Sequence, residues 1–447
     1  MENLALMTDS YKASHFLQFP PDTKRTFYYM SARVKDDFTR FYGLQMFVKK
    51  FLMNTPTMEQ IDDAAKWWPK HGLPFNYEGW KKVVDLGYLP LKIKGIPEGM
   101  VVPGDVPLVT VTNTTDDSYW LPGWIETLLM QLWYPTTVCT NSYKIKQEIL
   151  KWLEMTGTPE DIMFKLHDFG YRGATSQESA EIGGSAHLVN FMGTDTVAGV
   201  HAAQKYYNTD EMIAFSIPAA EHSTMTSWGR DNEKDAYENM IDKFAKPEAL
   251  VAVVSDSYDL YYAVRNIWGE ELKQKVLDSG ATIVIRPDSG DPDVVVLKTL
   301  DILDETFGST ENNKGYKVLN PAVRIIQGDG MGGVDDVREV LEAITYMGYS
   351  ADNLAFGMGG GLIQKCDRDT YKFAMKCSAV YDGDVWYDVF KNPVDAPWKA
   401  SKKGRLDVSP DMKTVNTDTY DGPTIMRTVF ENGVLKVDET FETVRGR

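Results

Sequence analysis

Four runs decide the fold: ALVAVVSDSYD (249–259), ATIVIRPDSG (281–290), VRIIQGDG (323–330) and NLAFGMGGG (353–361). Each starts as a short run of apolar β-formers, ends in acidic, basic or glycine residues, and leads into a helix-like stretch. Strands apolar along their whole length are what a sheet covered on both faces requires. Outward from this block, MFKLHDFG (163–170), AHLVNFMGTD (186–195) and MIAFSIPAAEH (212–222) repeat the theme upstream, and FAMKCSAVYDG (373–383) repeats it downstream. Eight strand candidates alternating with helices predict an α/β chain built on a parallel sheet, an irregular (β/α)8-like barrel.

The flanks read differently. LPLKIKGIPEGMVVPGDVPLVTVTNT (89–114) alternates β-formers with Gly and Pro turns and predicts a small antiparallel sheet. Phe38–Leu52, Met58–Trp68 and Trp124–Trp133 carry apolar residues at helical spacing. From about Tyr381 the chain turns β-like again, with Asp382-Gly383 and Asn432-Gly433 as hairpin turns. The expected organisation is an N-terminal mixed α+β segment (1–150), the barrel (151–384) and a β-rich segment (385–447) that packs with the first.

The 447 residues hold 47 Lys and Arg against 64 Asp and Glu, a net charge of −17 that repels nucleic acid and anionic membranes. Three cysteines with no CxxC pair make neither a disulfide framework nor a zinc site. No apolar run approaches a membrane span, and MENLALMTDSYKASH lacks a signal peptide's basic start and apolar centre. The expectation is a cytoplasmic protein with neither nucleic acid nor membrane as partner. GxSxG, HExxH and P-loop patterns are absent, which sets aside serine hydrolases, zincins and Walker-type ATPases.

Barrels of this kind gather reactive groups at the carboxyl ends of their strands. Those ends hold Asp168 and Arg172, Asp195, Glu221 and His222, Asp256, Arg286 and Asp288, Asp329, and Gly357 to Gly361. A single post-strand Asp is as readily a helix N-cap, but carboxylates alternating with arginines and glycine turns around one rim suit a charged, phosphorylated ligand. The GMGGG run is either a tight turn or a phosphate cradle of backbone N–H groups, with Arg368 downstream as a charged fork. Asp256 and the Arg286/Asp288 pair suit ribose hydroxyls or Mg²⁺, although Pro287-Asp288-Ser289-Gly290 is also a good β-turn. GDGMGG (328–333) matches GxGxxG, yet Asp329 inside it opposes a pyrophosphate and favours ribose hydroxyls. His222 is either a reactive group or a buried structural histidine, and Phe169 either a stacking platform or a core plug.

These residues sit in TDSYK (8–12), FYGLQ (41–45), KLHDFGYRG (165–173), GTDTVAG (193–199), PAAEHST (218–224), SDSYD (255–259), IRPDSG (285–290), QGDG (327–330), FGMGGGLIQK (356–365) and SKKGRL (401–406). Together and in this order they resemble the nicotinamide phosphoribosyltransferases, of the type II phosphoribosyltransferase class, over nearly the whole chain. The resemblance implies transfer of phosphoribosyl from phosphoribosyl pyrophosphate to nicotinamide, giving nicotinamide mononucleotide and pyrophosphate. It implies a homodimer with shared sites, in which Phe169 and Tyr11 of the second subunit sandwich the pyridine, with Asp9 beside Tyr11. Asp195 and Arg286 would hold the carboxamide. Arg172, Gly359, Gly360 and Arg368 would hold the ribose phosphate, with Asp288, Gly328 and Asp329 near the ribose and Asp256 on the sugar side. Arg33, Lys391 and Lys399 would flank the pyrophosphate and ATP phosphates. His222 would be the histidine phosphorylated by ATP, and Mg²⁺ the metal, with Asp288 its ligand. Ala252 and Ala374 depart from animal members, which carry serine there.

The chemistry agrees with that resemblance. Loss of pyrophosphate leaves an oxocarbenium-like sugar, which calls for carboxylates near the ribose and for Mg²⁺, Arg or Lys at the phosphates. The pyridine nitrogen is already nucleophilic and needs no general base. A carboxylate at Asp195 favours an amide over a second carboxylate. Competing readings are a nicotinate phosphoribosyltransferase, a non-catalytic binding protein on the same fold and, far behind, a dinucleotide-dependent oxidoreductase built on Gly328 to Gly333.

Overall fold

A computed structural model describes residues 3–395 and 400–447. The chain divides into two compact units. The first comprises residues 1–140, 203–210 and 366–447; the second comprises 141–202 and 211–365.

The first unit is organised on a seven-stranded sheet. Its order is Trp386–Asp388, Ala374–Tyr381, Arg25–Ser31, Val109–Asn113, Leu91–Gly95, Arg427–Glu431 and Val434–Leu435, with antiparallel neighbours throughout. The C-terminal strands therefore complete the N-terminal sheet. The Asn432-Gly433 turn has both residues at positive φ, +50° and +79°, the twist that a two-residue hairpin needs. Behind the sheet, Trp68, Trp80, Trp120 and Trp124 meet edge to face in a buried cluster.

Two expectations are corrected here. The run FAMKCSAVYDG is not a barrel strand: Ala374–Tyr381 pairs antiparallel with Arg25–Ser31. It leads into a hairpin with Trp386–Asp388 rather than into the crossover helix a parallel neighbour requires. The helical spacing of Phe38–Leu52 also breaks up, into a strand Phe38–Arg40, a helix Leu44–Phe47 and a π-helical turn Val48–Leu52. Gly43 causes the break, since it takes φ +110° with Pro135 pressed against the place of a Cβ. Residues 203–210 join this unit because the Tyr207 hydroxyl donates to the buried Glu98 carboxylate at 2.7 Å and Gln45 Nε2 donates to the Tyr206 carbonyl.

The second unit holds a six-stranded parallel sheet. Its order is Gly193–Thr194, Leu166–Asp168, Leu354–Met358, Val323–Gln327, Thr282–Arg286 and Leu250–Val254. The two edges are joined by the irregular segment 213–220, which bridges Gly193 to Phe215 on one side and Ala219 to Ala252 on the other, both parallel. Thr194 N–H donates to Phe215 O at 3.0 Å, and Ala252 N–H to Pro218 O at 2.9 Å. Pro218, with no N–H to give, keeps this seventh segment from becoming a regular strand. The barrel is thus closed by seven segments rather than eight. Its interior includes Ala252, Val284 and Ile326, with Phe169, Ile217 and Ala355 packed on them.

Candidate active site

The carboxyl ends of the parallel strands bring the second unit's predicted residues to one rim. Asp168 ends the strand Leu166–Asp168, and its carbonyl accepts the Asp195 N–H at 2.9 Å, so the first two loops are tied together. Asp168 is fully buried, and its Oδ1 accepts the Gly170 N–H at 2.7 Å. Burial pushes its carboxyl up to about 6.

His222, Asp256 and Asp288 form one cluster. Asp256 Oδ1 lies 3.0 Å from His222 Nε2, while its Oδ2 accepts the Asp288 N–H at 3.1 Å and the Ser289 hydroxyl at 2.6 Å. With both oxygens engaged and a side chain only 4% exposed, Asp256 holds the His222 ring and the 286–290 loop together. His222 Nδ1 is 3.6 Å from Asp288 Oδ2, and the ring is half-exposed. Burial raises the Asp288 carboxyl, and repulsion from Asp256 and Asp329 adds to this against the attraction of Arg286 and His222. Arg286 Nε is buried without a hydrogen-bond partner among the described residues, 3.9 Å from Asp288 Oδ1.

Asp195 stands across the rim. Its Oδ1 accepts a very short hydrogen bond from the Ser216 hydroxyl and lies 3.3 Å from His167 Nε2. Burial opposes its ionisation, but the hydrogen bonds of His167 and Ser216 outweigh that, with the charges of His167 and Arg286 helping, and hold the carboxyl below its ordinary range. Neither His167 nor Ser216 was singled out from sequence. The strand end HDF carried the only signal, a polar residue two before an aromatic.

Phe169 is half-buried at this rim, its ring 5.3 Å from that of His167. The ring lies over Gly357 so closely that a Cβ there would stand 1.9 Å from Cε2, and its other neighbour Gly328 leaves 3.3 Å. A Cβ on Gly361 would meet the Gly332 backbone at 2.8 Å, so the glycine loops after two neighbouring strands touch. Gly173, beside the exposed Arg172, leaves 3.6 Å to Gly360, and Gly359 leaves 3.6 Å to the Phe169 carbonyl. Arg172, Gly328, Asp329, Gly359 and Gly360 therefore share the rim with Asp195, Asp256, Arg286 and Asp288.

The first unit holds the other candidates. Tyr11 is 59% exposed on the 3₁₀ helix Ser10–Leu17, and Asp9 just before it accepts the Thr127 hydroxyl at 2.7 Å. Arg33 Nε donates to the Lys372 carbonyl at 2.8 Å, and Arg368 pairs with Asp369. The half-buried Lys376, not singled out from sequence, has its ammonium pKa lowered by burial; attraction to Glu126 opposes this, and repulsion from Arg33, Lys391 and Lys12 adds to it. Arg33 and Lys391 thus belong to a cationic cluster. Lys399 lies outside the described residues.

A model of the nicotinate phosphoribosyltransferase (NAPRTase) family matches residues 164–434. The chain belongs to the nicotinate phosphoribosyltransferase family. A second model, of the nicotinamide phosphoribosyltransferase N-terminal domain, matches residues 3–93. Among curated family relatives, the nicotinamide phosphoribosyltransferase of Xanthomonas campestris pv. campestris is 50% identical, covering 100% of this chain and 98% of its own. That of Acinetobacter baylyi is 32% identical, covering 98% and 95%. Two solved structures share the fold. The nicotinate-nucleotide pyrophosphorylase of Pyrococcus furiosus does so at 13% identity and TM-score 0.64, covering 99% of this chain and 94% of that one. The human nicotinic acid phosphoribosyltransferase does so at 16% and 0.56, covering 99% and 92%.

Proposed function

We propose that this enzyme transfers phosphoribosyl from phosphoribosyl pyrophosphate to nicotinamide, releasing pyrophosphate and forming nicotinamide mononucleotide for NAD synthesis. The observation that carries the choice of acceptor is Asp195, an ionised carboxylate joined to the Phe169 platform through His167 and within the field of Arg286. A carboxamide offers that carboxylate an N–H, whereas nicotinate sets two negative charges together at a cost of several kcal/mol.

In this reading Phe169 stacks on the pyridine and Asp195 with Arg286 fixes its amide, so that the ring nitrogen faces the anomeric carbon. Orientation is the main help that nucleophile needs. As pyrophosphate leaves, positive charge grows on the sugar, and the carboxylates of Asp288 and Asp329 stand where they stabilise it. Arg172 with the backbone at Gly359 and Gly360 receives the 5′-phosphate.

Asp288 and Asp329 fit Mg²⁺, being hard oxygen donors whose mutual repulsion marks a place that favours a cation. Mg²⁺ characteristically takes one or two protein carboxylates and its remaining ligands from substrate phosphates and water. When bound, it would neutralise charge on the pyrophosphate. Asp256 fixes the Nε2–H of His222 and leaves Nδ1 as the nucleophile for an ATP γ-phosphoryl group, which supports ATP stimulation through a phosphohistidine. The exposed Tyr11 of a second copy would close the pyridine slot in a homodimer, and the Arg33/Lys391 cluster suits pyrophosphate or ATP phosphates. No helix among the described residues is long and apolar enough to cross a membrane.

The test is incubation with phosphoribosyl pyrophosphate, Mg²⁺ and each pyridine, with and without ATP, read by mass spectrometry. Nicotinamide mononucleotide is expected as the main product. A preference for nicotinate, or no mononucleotide at all, would overturn the reading.

A further inference from the structure

Two polar neighbours converge on one oxygen of Asp195. His167 Nε2 and the Ser216 hydroxyl both address Oδ1, and among the described residues no hydrogen bond reaches Oδ2. Because Nε2 faces a carboxylate oxygen, it carries the ring proton. The His167 ring is itself held. A Cβ on Gly193 would lie 2.6 Å from His167 Nδ1, so the ring rests on a bare backbone, and the ring also meets Phe169 at 5.3 Å between centroids. Ser216 comes from the irregular closing segment, whose neighbour Phe215 accepts the Thr194 N–H at 3.0 Å. The strand end 166–168 and the closing segment thus each lend one group to a single carboxylate, which itself follows the strand 193–194.

We infer that His167 and Ser216 are positioning residues that set acceptor specificity, by occupying Oδ1 of Asp195 and leaving its Oδ2 as the one oxygen that reads the carboxamide N–H. This rests on the proposed role of Asp195 and adds to it. An aspartate that is half-exposed at a rim rotates about its side-chain bonds, and either oxygen would then serve either partner. Two donors on Oδ1 remove that freedom. They also hold the carboxylate charged, which is the form that rejects nicotinate. Gly193 is the third element, because any side chain there displaces the His167 ring.

The test compares His167→Leu, His167→Gln and Ser216→Ala with the parent and with Asp195→Asn. In each, kcat and KM are measured for nicotinamide and nicotinate, and KM for phosphoribosyl pyrophosphate. His167→Leu is expected to lower the nicotinamide-to-nicotinate ratio of kcat/KM about tenfold, through KM for nicotinamide, with KM for phosphoribosyl pyrophosphate unchanged. His167→Gln, which keeps a donor at nearly the place of Nε2, is expected to restore most of the ratio. Ser216→Ala is expected to lower it severalfold, and it reports even if His167→Leu fails to fold. If Asp195→Asn moves the ratio while His167→Leu and Ser216→Ala do not, the positioning role is overturned and the Asp195 reading stands. If Asp195→Asn leaves it unmoved, the Asp195 reading fails, and this inference with it.

Discussion

Gly357→Ala isolates the placement of Phe169. Gly357 lies within the strand Leu354–Met358 at an ordinary φ, so alanine meets no backbone penalty. The penalty is steric alone: the new Cβ would stand 1.9 Å from Phe169 Cε2, 2.4 Å from Cδ2 and 2.7 Å from Cζ. Ordinary contact begins near 3.4 Å, so the ring must retreat by about 1.5 Å. Its way is blocked by Ala252, Val284 and Ile326, on which it packs. Forcing a side chain into such a core costs about 1–3 kcal/mol of stability, and a 1 Å displacement of an orienting group costs about 100-fold in rate. The expected result is a fall of about 100-fold in kcat/KM for nicotinamide, with a lowered denaturation midpoint. Gly328→Ala is the graded control, since its Cβ would meet the same ring edge at 3.3 Å and ask only a few tenths of an ångström. It should cost far less. Equal activity in parent and Gly357→Ala, or a larger loss in Gly328→Ala, would refute the claim that Phe169 orients the acceptor.

Three further outcomes are expected. Asp195→Asn should raise turnover of nicotinate relative to nicotinamide, checked by competition between the two pyridines. Asp168 has its carboxyl raised to about 6, so the fold binds its proton more tightly than the unfolded chain does; its charge destabilises progressively as pH rises from about 4 to 6. Asp168→Asn should therefore gain up to about 3 kcal/mol in urea unfolding at pH 8 and nothing at pH 4, and a gain equal at both would contradict the assignment. His222→Ala should abolish ATP hydrolysis while retaining slow transfer without ATP; hydrolysis at the parent rate would remove the histidine from that scheme.

Four of the parallel strands, Leu250–Val254, Thr282–Arg286, Val323–Gln327 and Leu354–Met358, were legible because they are largely apolar, and the rim followed from the strand ends: Asp195, Asp256, Arg286, Asp288 and Asp329 all sit where strand ends were read. What escaped was tertiary. Ala374–Tyr381 has a barrel strand's composition, but only its partner Arg25–Ser31 reveals that it belongs to the antiparallel sheet. The segment 213–220 closes the barrel without forming a regular strand, because its hydrogen bonds are distributed over two neighbours around a proline. His167 and Ser216 lie 49 positions apart in sequence and meet only through Asp195. The burial of Asp256 behind His222 was equally invisible, since a post-strand Asp looks the same whether it faces a sugar or a histidine.

In the proposed function one rim of loops orients a pyridine on Phe169 and a sugar phosphate across the neighbouring carboxylates and glycines. A crystal structure with nicotinamide mononucleotide bound tests it most directly. The ring is predicted to lie on Phe169 with its amide nitrogen at Asp195 Oδ2, the ribose toward Asp288 and Asp329, and the phosphate at Arg172 and Gly359–Gly360. A nucleotide bound elsewhere, or one whose amide points away from Asp195, would contradict it.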